Sequence, residues 1–128
     1  MTPQHEEARR FMRMASADRE AFGILAANGV ARPVTIFHAQ QSVEKALKSV
    51  LCLHGIEFRC SHDLELLLRL VEPVAPCPVS KEDFRLLTPY AVEFRYGDEP
   101  VELLTVGEAR RIMDLTYGWA EALAGAGD

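Results

Sequence analysis

Apolar residues recur along this chain at spacings of three and four, and almost nowhere at a spacing of two. Over residues 6–27, Phe11, Met14, Ala15, Ala17, Ala21, Phe22, Ile24 and Leu25 alternate in this way with Arg9, Arg10, Arg13, Asp18, Arg19 and Glu20. The pattern predicts an amphipathic helix, stopped by Asn28-Gly29. Pro33 suits the opening of a second helix, which runs to about His54 and ends at Gly55. Ser61 or Asp63 can cap a third, short helix over 64–71, with Leu64, Leu67, Leu68 and Val71 as its apolar stripe. The run from Pro73 to Val79 holds too much proline to be helical. Ser80-Lys-Glu-Asp83 is a variant capping box that opens a fourth helix through about residue 94, with a kink at Pro89 favoured over two shorter helices meeting there. Thr105-Val-Gly-Glu108 caps a last helix that sends Ala109, Ile112, Met113, Leu115, Trp119, Ala122 and Leu123 to the core. The predicted fold is all-α, an antiparallel up-and-down bundle of four long helices plus one short helix. One domain spans 1–128, with frayed ends at about 1–5, which include His5, and at about 124–128.

The second helix carries more than a core stripe. Stepping about 100° per residue puts Ile36, Phe37, Ala39, Val43, Ala46, Leu47, Val50, Leu51 and Leu53 on one broad arc, and Gln40 and Glu44 fall inside it. Lys48 lies at the edge of that arc, while Gln41, Lys45 and Ser49 point away from it, toward solvent or a partner. A carboxylate on a core-facing arc is costly unless something pairs with it. Arg95, followed by Tyr96, is the candidate partner for Glu44, because a bidentate guanidinium contact keeps a buried acid charged.

Composition narrows the function classes. The chain has 128 residues, 48% apolar and 26% charged, which suits a soluble globular domain. No apolar run approaches the roughly 18 residues of a membrane span, and the polar start has no signal core, so a cytoplasmic setting is expected. Cys52, Cys60 and Cys77 are odd in number and lack CxxC spacing, which favours neither disulfides nor a metal site. A net charge of −5 argues against broad, sequence-independent nucleic-acid binding.

Chemical motifs are sparse. There is no phosphate-binding glycine loop, nucleophile elbow, HExxH or basic zipper, and no cofactor is expected. His62-Asp63 stands at the start of the third helix, where Asp suits the helix dipole and anions bind readily. His38 and His54 read as packed or surface histidines, and Arg9, Arg10 and Arg13 as a small basic cluster on a solvated face.

Phe37-His-Ala-Gln-Gln-Ser-Val-Glu-Lys-Ala-Leu-Lys48, then Ser61-His-Asp-Leu64, then Ala91-Val-Glu-Phe-Arg-Tyr-Gly97 resemble the HEPN domain family, whose name stands for higher eukaryotes and prokaryotes nucleotide-binding. The resemblance implies a helical bundle, a homodimer, and a role in nucleotide or RNA biology. Small members are commonly encoded beside a minimal nucleotidyltransferase, as a pair often of toxin–antitoxin type. Many members are metal-independent ribonucleases with an Arg followed four to six residues later by a His at the start of a late helix. This chain departs from that pattern, since no histidine follows His62. Arg32 and His38 have the spacing but flank the start of the second helix, and we read that match as accidental. The resemblance therefore implies a non-catalytic module that holds a nucleotide or docks a nucleotidyltransferase through Gln41, Lys45, Lys48, His62, Asp63, Arg95 and Tyr96, with Gln40 and Glu44 as its structural polar core. The alternative is a ribonuclease toxin with an atypical site built on His62 and Arg95, and a third reading is assembly without a ligand.

Overall fold

The computed structural model describes residues 2–91 and 104–125, all of whose regular structure is helical. Helix α1, Pro3–Ala27, starts three residues earlier than the apolar pattern predicts. The Thr2 hydroxyl accepts from the His5 amide at 3.1 Å, and Pro3 sits where a missing N–H costs nothing. Helix α2, Arg32–Leu53, ends at a His54 cap followed by Gly55 with φ 67°. Asp63 caps α3, Leu64–Val71, accepting from the amides of Glu65 and Leu66.

Ser80 caps α4, Lys81–Leu87, which stops short of the predicted kinked helix through residue 94. A 3₁₀ turn, Thr88–Ala91, takes over, so Pro89 ends the α-helix rather than bending it. The proline ring would crowd the carbonyl four residues back and has no N–H to offer. Thr88 secures the change: its hydroxyl donates to Phe84 O at 2.9 Å and accepts from the Leu64 amide at 3.1 Å, which ties the end of α4 to the start of α3. The later part of the predicted fourth helix lies outside the described residues. Helix α5, Val106–Gly125, opens with a reciprocal capping box between Thr105 and Glu108, whose bonds from Thr105 hold the Glu108 carboxyl below the usual carboxylate range.

Among the described residues the long helices number three, of 25, 22 and 20 residues, not four; α3 and α4 have 8 and 7. Hydrogen bonds give their directions. Ser49 Oγ donates to Ala8 O at 2.7 Å and Ser42 Oγ to Ala15 O at 2.9 Å, so α1 and α2 run antiparallel with matching seven-residue steps. His5 meets Ala124 and Arg19 meets Asp114, so α5 is also antiparallel to α1. Helix α2 packs against α1, α3, α5 and the 3₁₀ turn, and lies at the centre of the core.

That central place overturns several sequence expectations. Ser49 is fully buried under α1 rather than facing outward. His5 and Ala124 are both buried, with His5 Nε2 3.1 Å from the Ala124 carbonyl, because the antiparallel ends of α1 and α5 cover each other where fraying was expected. On α5 the core stripe runs through Ala109, Ile112, Met113, Thr116, Ala120 and Ala124. Leu115, one position off that stripe, and Ala122, midway between Ala120 and Ala124 and so on the far side of the helix, are exposed, while Thr116 is buried with its hydroxyl donating to Ile112 O at 2.8 Å. Ile24 on α1 is likewise exposed. Among the described residues no helix is long and apolar enough to cross a membrane.

Two glycines test this account of the backbone. Gly23 lies inside α1 and an added Cβ would meet nothing within 4 Å, so Gly23→Ala should raise unfolding free energy by about 0.5–1 kcal/mol. Gly29 has φ 66° in the α1–α2 connector, so Gly29→Ala should lower it by about 1 kcal/mol. Urea denaturation of both variants measures the contrast.

Candidate functional site

The i, i+4 spacing of Gln40, Glu44 and Lys48 stacks three polar side chains on one face of α2, where α3 and the loop before it cover them. Glu44 is 4% exposed. Its Oε2 accepts from Lys48 Nζ at 2.9 Å; its Oε1 accepts from Gln40 Nε2 at 3.2 Å and lies 2.8 Å from His62 Nδ1. Gln40 Nε2 also donates to the His62 carbonyl at 3.2 Å, and Gln41 Nε2 donates to Gln40 Oε1 at 2.7 Å. Both oxygens of the buried acid are thus supplied with donors, as burial demands. The pairing of Glu44 with Arg95 falls outside the described residues, as do Arg95 and Tyr96 themselves. The donors the structure does describe are Lys48, Gln40 and His62.

Chemically the cluster is asymmetric. The Lys48 side chain is only 10% exposed and its ammonium also lies 5.8 Å from the Phe58 ring centroid, which in turn meets Phe11 edge-on. This lysine is a structural counter-ion, not the outward-reaching group expected of it. His62 is half-exposed, at 49%. A carboxylate oxygen can only accept, so Nδ1 carries the hydrogen toward Glu44 and Nε2 is the nitrogen left to exchange a proton. Asp63 spends Oδ1 on capping α3.

A second cluster of the same kind spans α1 and α2. Asp18 Oδ2 accepts from Lys45 Nζ at 2.6 Å, and Asp18 Oδ1 lies 3.0 Å from His38 Nδ1. Lys45 was expected to point away from the protein; its side chain is 18% exposed and held under α1. Sequence reasoning assigned no role to Asp18 and read His38 as packing or surface. The available signal was weak: His38 and Lys45 are seven apart and share a face, but only the antiparallel register with α1 brings Asp18 between them.

Beside the Glu44 cluster runs one stripe, which takes in His38 and Lys45 of the Asp18 cluster. Over residues 34–51 of α2, only Val34, Phe37, His38, Gln41 and Lys45 escape full burial, at spacings of three, one, three and four. Burial pushes the Cys77 thiol up to about 11 and raises Cys52 as well, which makes both poor nucleophiles near neutral pH. Among the described residues no three His, Cys, Asp or Glu side chains converge as a metal site would require.

The HEPN domain family model matches residues 8–121, nearly the whole chain. The chain belongs to the HEPN domain family. No curated protein and no solved structure matched it. In this HEPN domain Arg32 and His38 are six residues apart on one helix, about 240° around its axis, and so do not share a face.

Two measurements check the site. Lys48→Met leaves Glu44 buried without its cation and should cost about 3 kcal/mol, with most of that recovered in the Glu44→Gln, Lys48→Met double variant. Additive losses in urea denaturation would contradict the coupling. In timed alkylation at pH 8, Cys77 should react far more slowly than exposed Cys60.

Proposed function

We propose that this HEPN-domain protein is a non-catalytic, cytoplasmic binding component of a pair with a minimal nucleotidyltransferase, of toxin–antitoxin type, and that it acts as a homodimer. The observation that carries this reading is the half-buried α2 stripe of Phe37, His38, Gln41 and Lys45, in which Asp18 holds His38 and Lys45 and beside which lies the Glu44 cluster. Pairing within the chain leaves no uncompensated charge for a partner to bury, which is the costlier case. Both clusters are paired within the chain, and Phe37 and Val34 add apolar area beside them. A nucleotide, where one is held, would use the half-exposed His62 with Arg95 and Tyr96, which follow four and five residues after the 3₁₀ turn packed on α2.

A second reading, a metal-independent ribonuclease, has one observation in its favour. Glu44 orients His62 so that Nε2 could take a proton from a ribose 2′-hydroxyl, with Arg95 to stabilise phosphate charge.

Co-expression with a minimal nucleotidyltransferase, where one is encoded beside this chain, tests the first reading. A tagged chain should retain the partner through purification, and Phe37→Ser should lose it while the variant still melts cooperatively. Retention by the variant would place docking elsewhere. RNA cleavage in the presence of a chelator, abolished by His62→Ala or Arg95→Ala, would replace the binding reading with the ribonuclease one.

A further inference from the structure

Helix α3 and the proline-rich loop that follows it enclose a groove of about 480 Å³, which shares no residue with the α2 stripe. Spacing builds one wall: Glu65, Leu68, Arg69 and Glu72 recur at three, one and three, and so share an edge of α3 and its cap. The loop builds the other wall and is held from within. The Val74 and Ala75 amides donate to Val71 O at 3.0 and 2.9 Å, and the Cys77 amide donates to Glu72 Oε2 at 3.0 Å. Leu68, Val79 and the half-buried Cys77 floor the groove, and Pro73 and Pro78 stand exposed at its lips. The charged groups differ in what already engages them. Arg85 donates to both oxygens of Glu65, at 3.2 and 3.4 Å, and Glu72 is turned to the Cys77 amide. The Lys81 ammonium makes no hydrogen bond or close ion pair among the described residues and acts on Glu65 only at longer range. Arg69 has one loose contact, 3.8 Å to Glu65, and its side chain is 70% exposed.

We propose that this groove binds a small amphipathic monocarboxylate, an aliphatic or aromatic acid whose apolar body lies on Leu68, Cys77 and Val79 and whose carboxylate meets Lys81 and Arg69. The volume falls within the range of small-molecule sites, and an apolar lining with a few polar groups is their usual make-up. Hydrogen-bond donors that carry positive charge stand here beside carboxylates already engaged within the chain, which favours an anion as the ligand's polar end. Formal charge limits that anion. The lining holds two acids and two bases, a balance that suits one negative charge and opposes a phosphate dianion or a polyanionic strand. The loop's own hydrogen bonds shape the groove in advance, so binding requires little further ordering. Cys77 is a reporter built into the floor, because a ligand seated over it covers its thiol.

Timed alkylation of the full chain with iodoacetamide, read peptide by peptide by mass spectrometry at constant ionic strength, tests the groove with acetate, hexanoate and hexanamide. Hexanoate should slow modification of Cys77 saturably and leave that of exposed Cys60 unchanged. Acetate has the charge without the apolar body, and hexanamide the body without the charge, so each should protect Cys77 only at higher concentration than hexanoate. Lys81→Met and Arg69→Met should each weaken protection by hexanoate about threefold or more and leave that by hexanamide no weaker. Both side chains are exposed, and unchanged thermal melts of the variants confirm that only binding is altered. No protection of Cys77 by hexanoate overturns the proposal. So does equal protection by acetate or by hexanamide, or full hexanoate affinity in both variants.

Discussion

A carboxylate inside a helical bundle is the constraint on which this structure turns. Glu44 is almost completely removed from water, and an unpaired acid there would cost several kcal/mol. Lys48, Gln40 and His62 answer that cost from three directions, two of them one turn away on α2 and the third from the entry to α3. The arrangement therefore positions the His62 loop as well as stabilising the helix. By contrast, the Arg19–Asp114 pair across α1 and α5 is nearly half-exposed, and pairs of that kind contribute at most about 1 kcal/mol.

The same physics explains the seam between α1 and α2. Small residues let the two helices approach closely enough for Ser42 and Ser49 to reach carbonyls of the neighbouring backbone, at the cost of having nowhere else to place a hydroxyl. Asp18 closes that seam toward the connector by joining Lys45 and His38. Helix α2 is thus pinned by two ionic clusters, one of which supplies His38 and Lys45 to its half-buried stripe. A surface of this kind has its charges paired within the chain. His62 is the one half-exposed member of the Glu44 cluster.

Much of the fold was legible residue by residue wherever the determining interaction is local. Thr105 with Glu108, Ser80 before α4, Asp63 before α3 and the glycines after α1 and α2 act within a few residues of themselves, so spacing alone identifies them. Errors arose where a neighbour decides. Pro89 was read as a kink, but Thr88 holds the tighter turn by bonding to α3. Leu115 and Ser49 differ from expectation because which arc of a helix is buried depends on how many helices surround it.

The sequence by itself determined that this chain is all-helical, where most helices begin and end, that Gln40 and Glu44 face inward, and that the family is HEPN, since periodicity, capping and a contiguous signature are properties of short stretches. Only the tertiary structure decided the partners of Glu44 and Asp18 and the burial of Lys45, Lys48 and Ser49. Each of these depends on the register between helices distant in the chain. A register is chosen by the packing of all the helices together, and no single stretch contains it.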